Sequence, residues 1–72
     1  MILTLCKIAY KHLLKHNSDL AYELARDVRD DPDMPYDMVA SKHIKLSWLG
    51  ALDYIEVLLA VCYIHETGLV PS

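Results

Sequence analysis

Apolar positions recur along this chain at intervals of three and four, the period of a helix that turns one face to a core. Sustained apolar–polar alternation is absent. There are two glycines and no Asn-Gly or Asp-Gly pair, so strands and hairpins have no support. The pattern predicts four helices joined by short loops. The first covers about residues 3–16. On a helical wheel Leu5, Cys6, Ala9, Tyr10, Leu13 and Leu14 fill one half, while Lys7, Lys11, Lys15, His12 and His16 fill the other, with Ile8 alone among them. Asn17 is a good helix-stop residue and Ser18 a good cap for the next helix. The second covers about 19–30, with Leu20, Ala21, Leu24, Ala25 and Val28 inward. It must end before Pro32, because proline cannot donate to the ladder and restricts the residue ahead of it. The connector 31–36 is then expected to be stiff, acidic and extended.

A third helix is expected over about 38–49, with Asp37 as N-cap, Ala40, Ile44 and Trp48 in one row, and Gly50 at its end. A fourth covers about 51–66, and Gly68 with Pro71 closes it. Its expected inward face is Leu52, Ile55, Leu58, Leu59 and Cys62. Its other side, marked by Asp53 and Glu56, also holds Val57, Ala60 and Ile64. Aliphatics on a polar side mean either a helix buried on most sides or a side that meets a partner. Complete burial is difficult in a chain of 72 residues. The partner reading is therefore adopted, with Val57, Ala60, Ile64, Asp53 and Glu56 as partner-binding residues. The central core is expected to comprise Leu24, Ile44, Trp48, Leu52, Ile55 and Leu58.

Composition strengthens this picture. The chain reads as one helical domain, residues 1–72, an all-α compact bundle of four short helices. Its 54% apolar content is high for a domain with so little interior, which favours a protein partner, self or foreign, and a homodimer among the choices. The net charge of −3 is unevenly spread: residues 1–16 carry three lysines and no acid, whereas 17–37 carry seven acids against Arg26 and Arg29. That asymmetry argues against general nucleic-acid binding and predicts opposite-signed surfaces. Lys7, Lys11 and Lys15 are the candidate nucleic-acid contacts. Asp27, Asp30, Asp31 and Asp33 are the candidate acidic contact surface. The N-terminal apolar run lacks a basic lead and is broken by lysines. The longest uncharged run in 46–64 falls far short of the roughly 20 residues a membrane span needs. A soluble, cytoplasmic protein is expected, without membrane contact.

No catalytic constellation emerges. His12 and His16 have the i, i+4 spacing of zinc ligands, but Leu13 stands where a metalloprotease has glutamate, and a solvated basic face accounts for them. The aspartates around Pro32 lack the glycine and closing glutamate of a calcium loop. Cys6 and Cys62 sit in apolar runs, where buried free thiols are expected ahead of a long-range disulfide. His43 and His65 show no orienting partner. No enzyme activity, metal or cofactor is expected.

One stretch carries a resemblance. Leu24-Ala25, then Asp31 six residues later, then Met34-Pro35, followed by Ile44 nine residues beyond the proline and by Trp48-Leu49, is similar to the pattern of the YozE-type family. The run Tyr10-Lys11-His12-Leu13-Leu14-Lys15 resembles that family's first helix. The likeness spans about residues 8–60. Met34 stands where the family has phenylalanine, the first loop is shorter, and the last helix lacks the family's late tryptophan. The resemblance implies a small SAM-like helical protein of Gram-positive bacteria or their phages, and no settled activity. The expected function is a small non-enzymatic protein-interaction module, accessory or regulatory. Two alternatives stand beside it: a nucleic-acid-binding protein using the lysines of the first helix, or an acidic DNA-mimicking inhibitor of a nucleic-acid enzyme.

Overall fold

The computed structural model describes the backbone of residues 2–47 and 51–68 and the side chains of 3–43 and 54–68. Four helices follow in order: α1 (Ile2–His16), α2 (Ser18–Asp30), α3 (Tyr36–Ser47) and α4 (Ala51–Thr67). There is no strand among the described residues. The all-α bundle is nearly isotropic, with extents of 26 × 25 × 22 Å.

The hinge between α1 and α2 is one residue, Asn17. Its backbone N–H donates to Leu13 O at 2.7 Å, closing α1, and its side-chain Oδ1 accepts from Leu20 N at 3.2 Å, opening α2. Asn17 thus fills both roles, and Ser18 is already the first residue of α2. Its amide side chain suits the extended backbone of a cap (φ −153°) and satisfies one of the orphan donors of the first turn. Asn17→Ala is expected to lower stability by about 1 kcal/mol. A denaturant midpoint within error of wild type would show the cap to be dispensable.

The connector is a turn, not an extended strut. Met34 N donates to Asp31 O at 3.2 Å, with Pro32 in the second position, where its fixed φ favours turning. Helix α3 therefore starts earlier than the sequence suggests. Pro35 O accepts from Met38 N at 3.0 Å and from Val39 N at 3.1 Å, so Asp37 lies within the first turn, where its charge meets the positive end of the helix dipole. Gly68 ends α4 with φ 65°, a left-handed conformation that glycine adopts without strain.

The core is assembled around α4, which packs against all three other helices. From α2 come Leu20, Ala21, Leu24, Ala25 and Val28, as the spacing predicts. Cys6, Ala9 and Leu13 come from α1, and Val39 and Ala40 from α3. From α4 come Val57, Ala60, Val61 and Ile64, each without solvent exposure. This reverses the expected face of α4. Val57, Ala60 and Ile64, assigned above to a partner surface, are interior. Ile55, assigned to the core, is exposed. The reason is the number of neighbours: a helix touched from three sides needs apolar residues most of the way round, so a lone carboxylate such as Glu56 no longer marks its outside. Leu24 is fully buried and Leu58 packs against the core, as expected. The side chains of Ile44, Trp48 and Leu52 lie outside the described residues.

Candidate interaction surfaces

Helix α1 is only half covered. Cys6, Ala9 and Leu13 face inward, whereas Leu5 and Leu14, expected inside, are exposed together with Ile8. Leu5 is 54% and Ile8 60% exposed, and across the seam on α4 Ile55 is 53% exposed. With Ala9 and Leu59 they line a shallow, mostly apolar groove of about 460 Å³, closed at one end by His12 and Glu56. Beyond those two residues a second depression of about 420 Å³ continues along His16, Asn17 and Leu20. The apolar surface that composition calls for therefore exists, on a different face of α4 from the one expected.

Glu56, a predicted partner contact, is instead mostly covered and bonded to the His12 imidazole, which ties α4 to α1. The side chain of Asp53 lies outside the described residues. The rings of His12 and His16 sit 4.1 Å apart, centroid to centroid. Among the described residues no three His, Cys, Asp or Glu side chains are placed to hold a metal ion. Lys7, Lys11 and Lys15 are all exposed, and one helical turn separates each from the next. On the wheel this row runs beside Ile8, so positive charge borders the α1 wall of the groove.

The acidic surface divides. Asp27 is half-buried: its Oδ2 accepts from His43 Nε2 at 2.5 Å and lies 3.6 Å from Lys42 Nζ. One turn earlier on α2, Glu23 Oε2 stands 3.8 Å from His43 Nδ1. His43 is buried between these two carboxylates and fastens α3 to α2. Asp27 is thus a structural ligand of His43 more than an outward contact. Asp30 is exposed and bonds its neighbour Arg29 at 3.1 Å. Asp31 and Asp33 are exposed in the turn, and the Asp31 N–H closes α2 on Asp27 O at 2.9 Å.

His65, like His43, is oriented by partners. Its Nε2 donates to Pro32 O at 3.0 Å, and its Nδ1 lies 2.9 Å from the Tyr36 hydroxyl. That hydroxyl also reaches Glu66 Oε1 at 3.3 Å. Burial, and then the Glu66 charge, push the Tyr36 phenol above its ordinary value. The group holds the turn and the start of α3 against the last turn of α4. Both histidine networks join residues at least 16 positions apart, which no local spacing reveals. Each ties one helix to another, so the arrangement is a fastening.

No helix among the described residues is long and apolar enough to cross a membrane. Comparison with known proteins finds no matching family model, no matching curated protein and no matching solved structure.

Proposed function

We propose that this chain is a non-enzymatic protein-interaction module that seats an acidic amphipathic helix in the groove between α1 and α4. The observation that carries the reading is the run of exposed aliphatics Leu5, Ile8 and Ile55, which come from two adjacent helices and line one groove. The lysine row beside the α1 wall selects the occupant: a helix whose apolar stripe enters the groove and whose acids meet Lys7, Lys11 and Lys15. Each half-exposed aliphatic contributes roughly 1 kcal/mol on burial, so after the cost of association the contact is weak and reversible. The YozE-type resemblance extends the reading to an accessory or regulatory protein of a Gram-positive bacterium or phage, acting in the cytoplasm. Nucleic acid is the less favoured ligand, because the lysines border an apolar groove and the whole chain is negative.

The test is a labelled synthetic helix with leucines at i, i+3, i+4 and i+7 and glutamates on both flanks, titrated by fluorescence anisotropy. Saturable binding that weakens as salt rises, and weakens about tenfold or more in Ile8→Asp/Ile55→Asp at unchanged melting temperature, is the expected result. Absence of binding, or equal binding by the double variant, overturns the proposal. Sedimentation over a concentration series supplies a further check: dimerisation abolished by the same variant would assign the groove to a second copy instead. Salt-dependent DNA binding lost in Lys7→Glu/Lys11→Glu/Lys15→Glu would replace this reading with the nucleic-acid one.

A further inference from the structure

Two of the four imidazoles in this chain are committed to fastening helices. His43 faces Asp27 and Glu23, and both nitrogens of His65 are bonded, to Tyr36 and to Pro32 O. His12 and His16 differ. Both are exposed, they stand one helical turn apart on α1, and their ring centroids are 4.1 Å apart with planes inclined at 57°. A zinc ion bonded to one nitrogen of each ring at about 2.0–2.1 Å needs those nitrogens roughly 3.0–3.4 Å apart, which side-chain rotation alone can supply for rings this close.

Spacing by itself leaves such a pair as ordinary solvated side chains. The fold adds two things. Glu56, from α4, bonds the His12 ring at Nδ1 and leaves Nε2 for a second partner. A carboxylate on one imidazole nitrogen fixes the tautomer and orientation of the ring and raises the basicity of the other nitrogen, as it does behind metal-bound histidines. In addition, both imidazoles and Glu56 line the depression of about 420 Å³, together with the buried Leu13 and Leu20 and the fully buried Val57. An ion held there has a carboxylate charge close by and room for bound water. The lysine row lies roughly a quarter-turn round α1, in solvent, where its charge is screened.

We propose that His12 and His16 bind a zinc ion, His12 through Nε2, with Glu56 outside the coordination shell as the residue that positions the His12 ring. The site has two protein ligands, and water fills the remaining positions. It is open and exchangeable, weaker than a closed four-ligand structural site. Imidazole ligands select zinc and its late transition-metal neighbours over magnesium and calcium, which take oxygen. The site does not depend on what the α1–α4 groove holds.

The experiment is titration of the metal-free full chain with zinc chloride by isothermal calorimetry, followed by nitrogen-15 NMR of the imidazoles. Expected are one zinc per chain, no heat with magnesium, and shifts at His12 Nε2 and at His16 while His43 and His65 keep theirs. His16→Ala, at an exposed position, should keep its melting temperature in EDTA and bind at least about tenfold more weakly. Glu56→Gln should weaken binding about tenfold and let zinc reach either nitrogen of His12, a spectroscopic change that loss of packing would not produce. Cys6 and Cys62 are free thiols, and Cys62 is partly open to solvent, so His16→Ala also separates imidazole from thiolate binding. Absence of saturable binding, affinity unchanged in His16→Ala or in Glu56→Gln, or one ion shared by two chains overturns the proposal.

Discussion

A chain carrying Val57→Asp together with Ile64→Asp will not fold at room temperature. Both side chains have no solvent exposure and lie two turns apart on the helix that touches every other helix. Each substitution removes an aliphatic group from the centre of the domain and sets a carboxylate there. The loss of the buried aliphatic alone is of the order of 1–3 kcal/mol per site, and an unpaired buried carboxylate adds several more unless it takes up a proton. A domain this small rarely holds more than about 3–5 kcal/mol in reserve, so either substitution exhausts most of it and the pair exceeds it. Far-UV circular dichroism and thermal melting decide the matter. A cooperative melt close to that of wild type would return both residues to the surface and with them the partner face first assigned to α4. The contrast with Ile8→Asp/Ile55→Asp, which alters two exposed residues and should leave the melt in place, separates the interior of α4 from its groove.

The two helix faces also show what periodicity can and cannot deliver. On α2 the five inward residues are separated from a charged opposite side, so spacing alone identifies Leu20, Ala21, Leu24, Ala25 and Val28. The same method fails on α4, where aliphatics surround the axis and the only local guides are Asp53 and Glu56. Glu56 misleads because its carboxylate is mostly covered and bonded to His12, from a helix forty-four positions earlier in the chain. The groove was hidden for a related reason. Ile8 stands out on the wheel as an apolar residue among lysines, which is a visible signal. Its companion Ile55 can be recognised only once α1 and α4 are known to be neighbours. Loop chemistry was partly readable: Asn17 stops one helix and, less predictably, caps the next, while Pro32 and Pro35 mark a break whose turn geometry depends on a hydrogen bond between Met34 and Asp31. The acids of 17–37 looked like one surface by charge count. The fold removes Asp27 from it through contacts with His43 and Lys42 on α3, and those contacts define the second large expected effect.

His43→Ala is expected to cost about 2–4 kcal/mol. Part is the void left by a ring that is 6% exposed, and part is the hydrogen bond from Nε2 to the Asp27 carboxylate, which belongs to the stronger, charge-assisted class. Glu23 and Asp27 stand one turn apart on α2, so both carboxylates face the imidazole, but they do not contribute equally. Asp27 is mostly covered and at 2.5 Å from the ring, whereas Glu23 is half exposed and at 3.8 Å. Glu23→Ala should therefore change stability by no more than about 0.5 kcal/mol, as exposed pairs generally do. Asp27→Ala and His43→Ala should be strongly non-additive, with a coupling of about 1.5–3 kcal/mol, because either one alone removes the same bond. His43→Gln, which keeps an N–H donor in reach of α2, should recover part of the loss. The measurement is a double-mutant cycle by urea denaturation with a common slope. A coupling below about 0.5 kcal/mol would reduce His43 to a space-filling residue and restore Asp27 to the acidic surface. A coupling in the expected range means that α3 is held by a polar clamp as well as by Val39 and Ala40. Neither His43 nor Asp27 is among the described residues that line the groove, which come from α1 and α4.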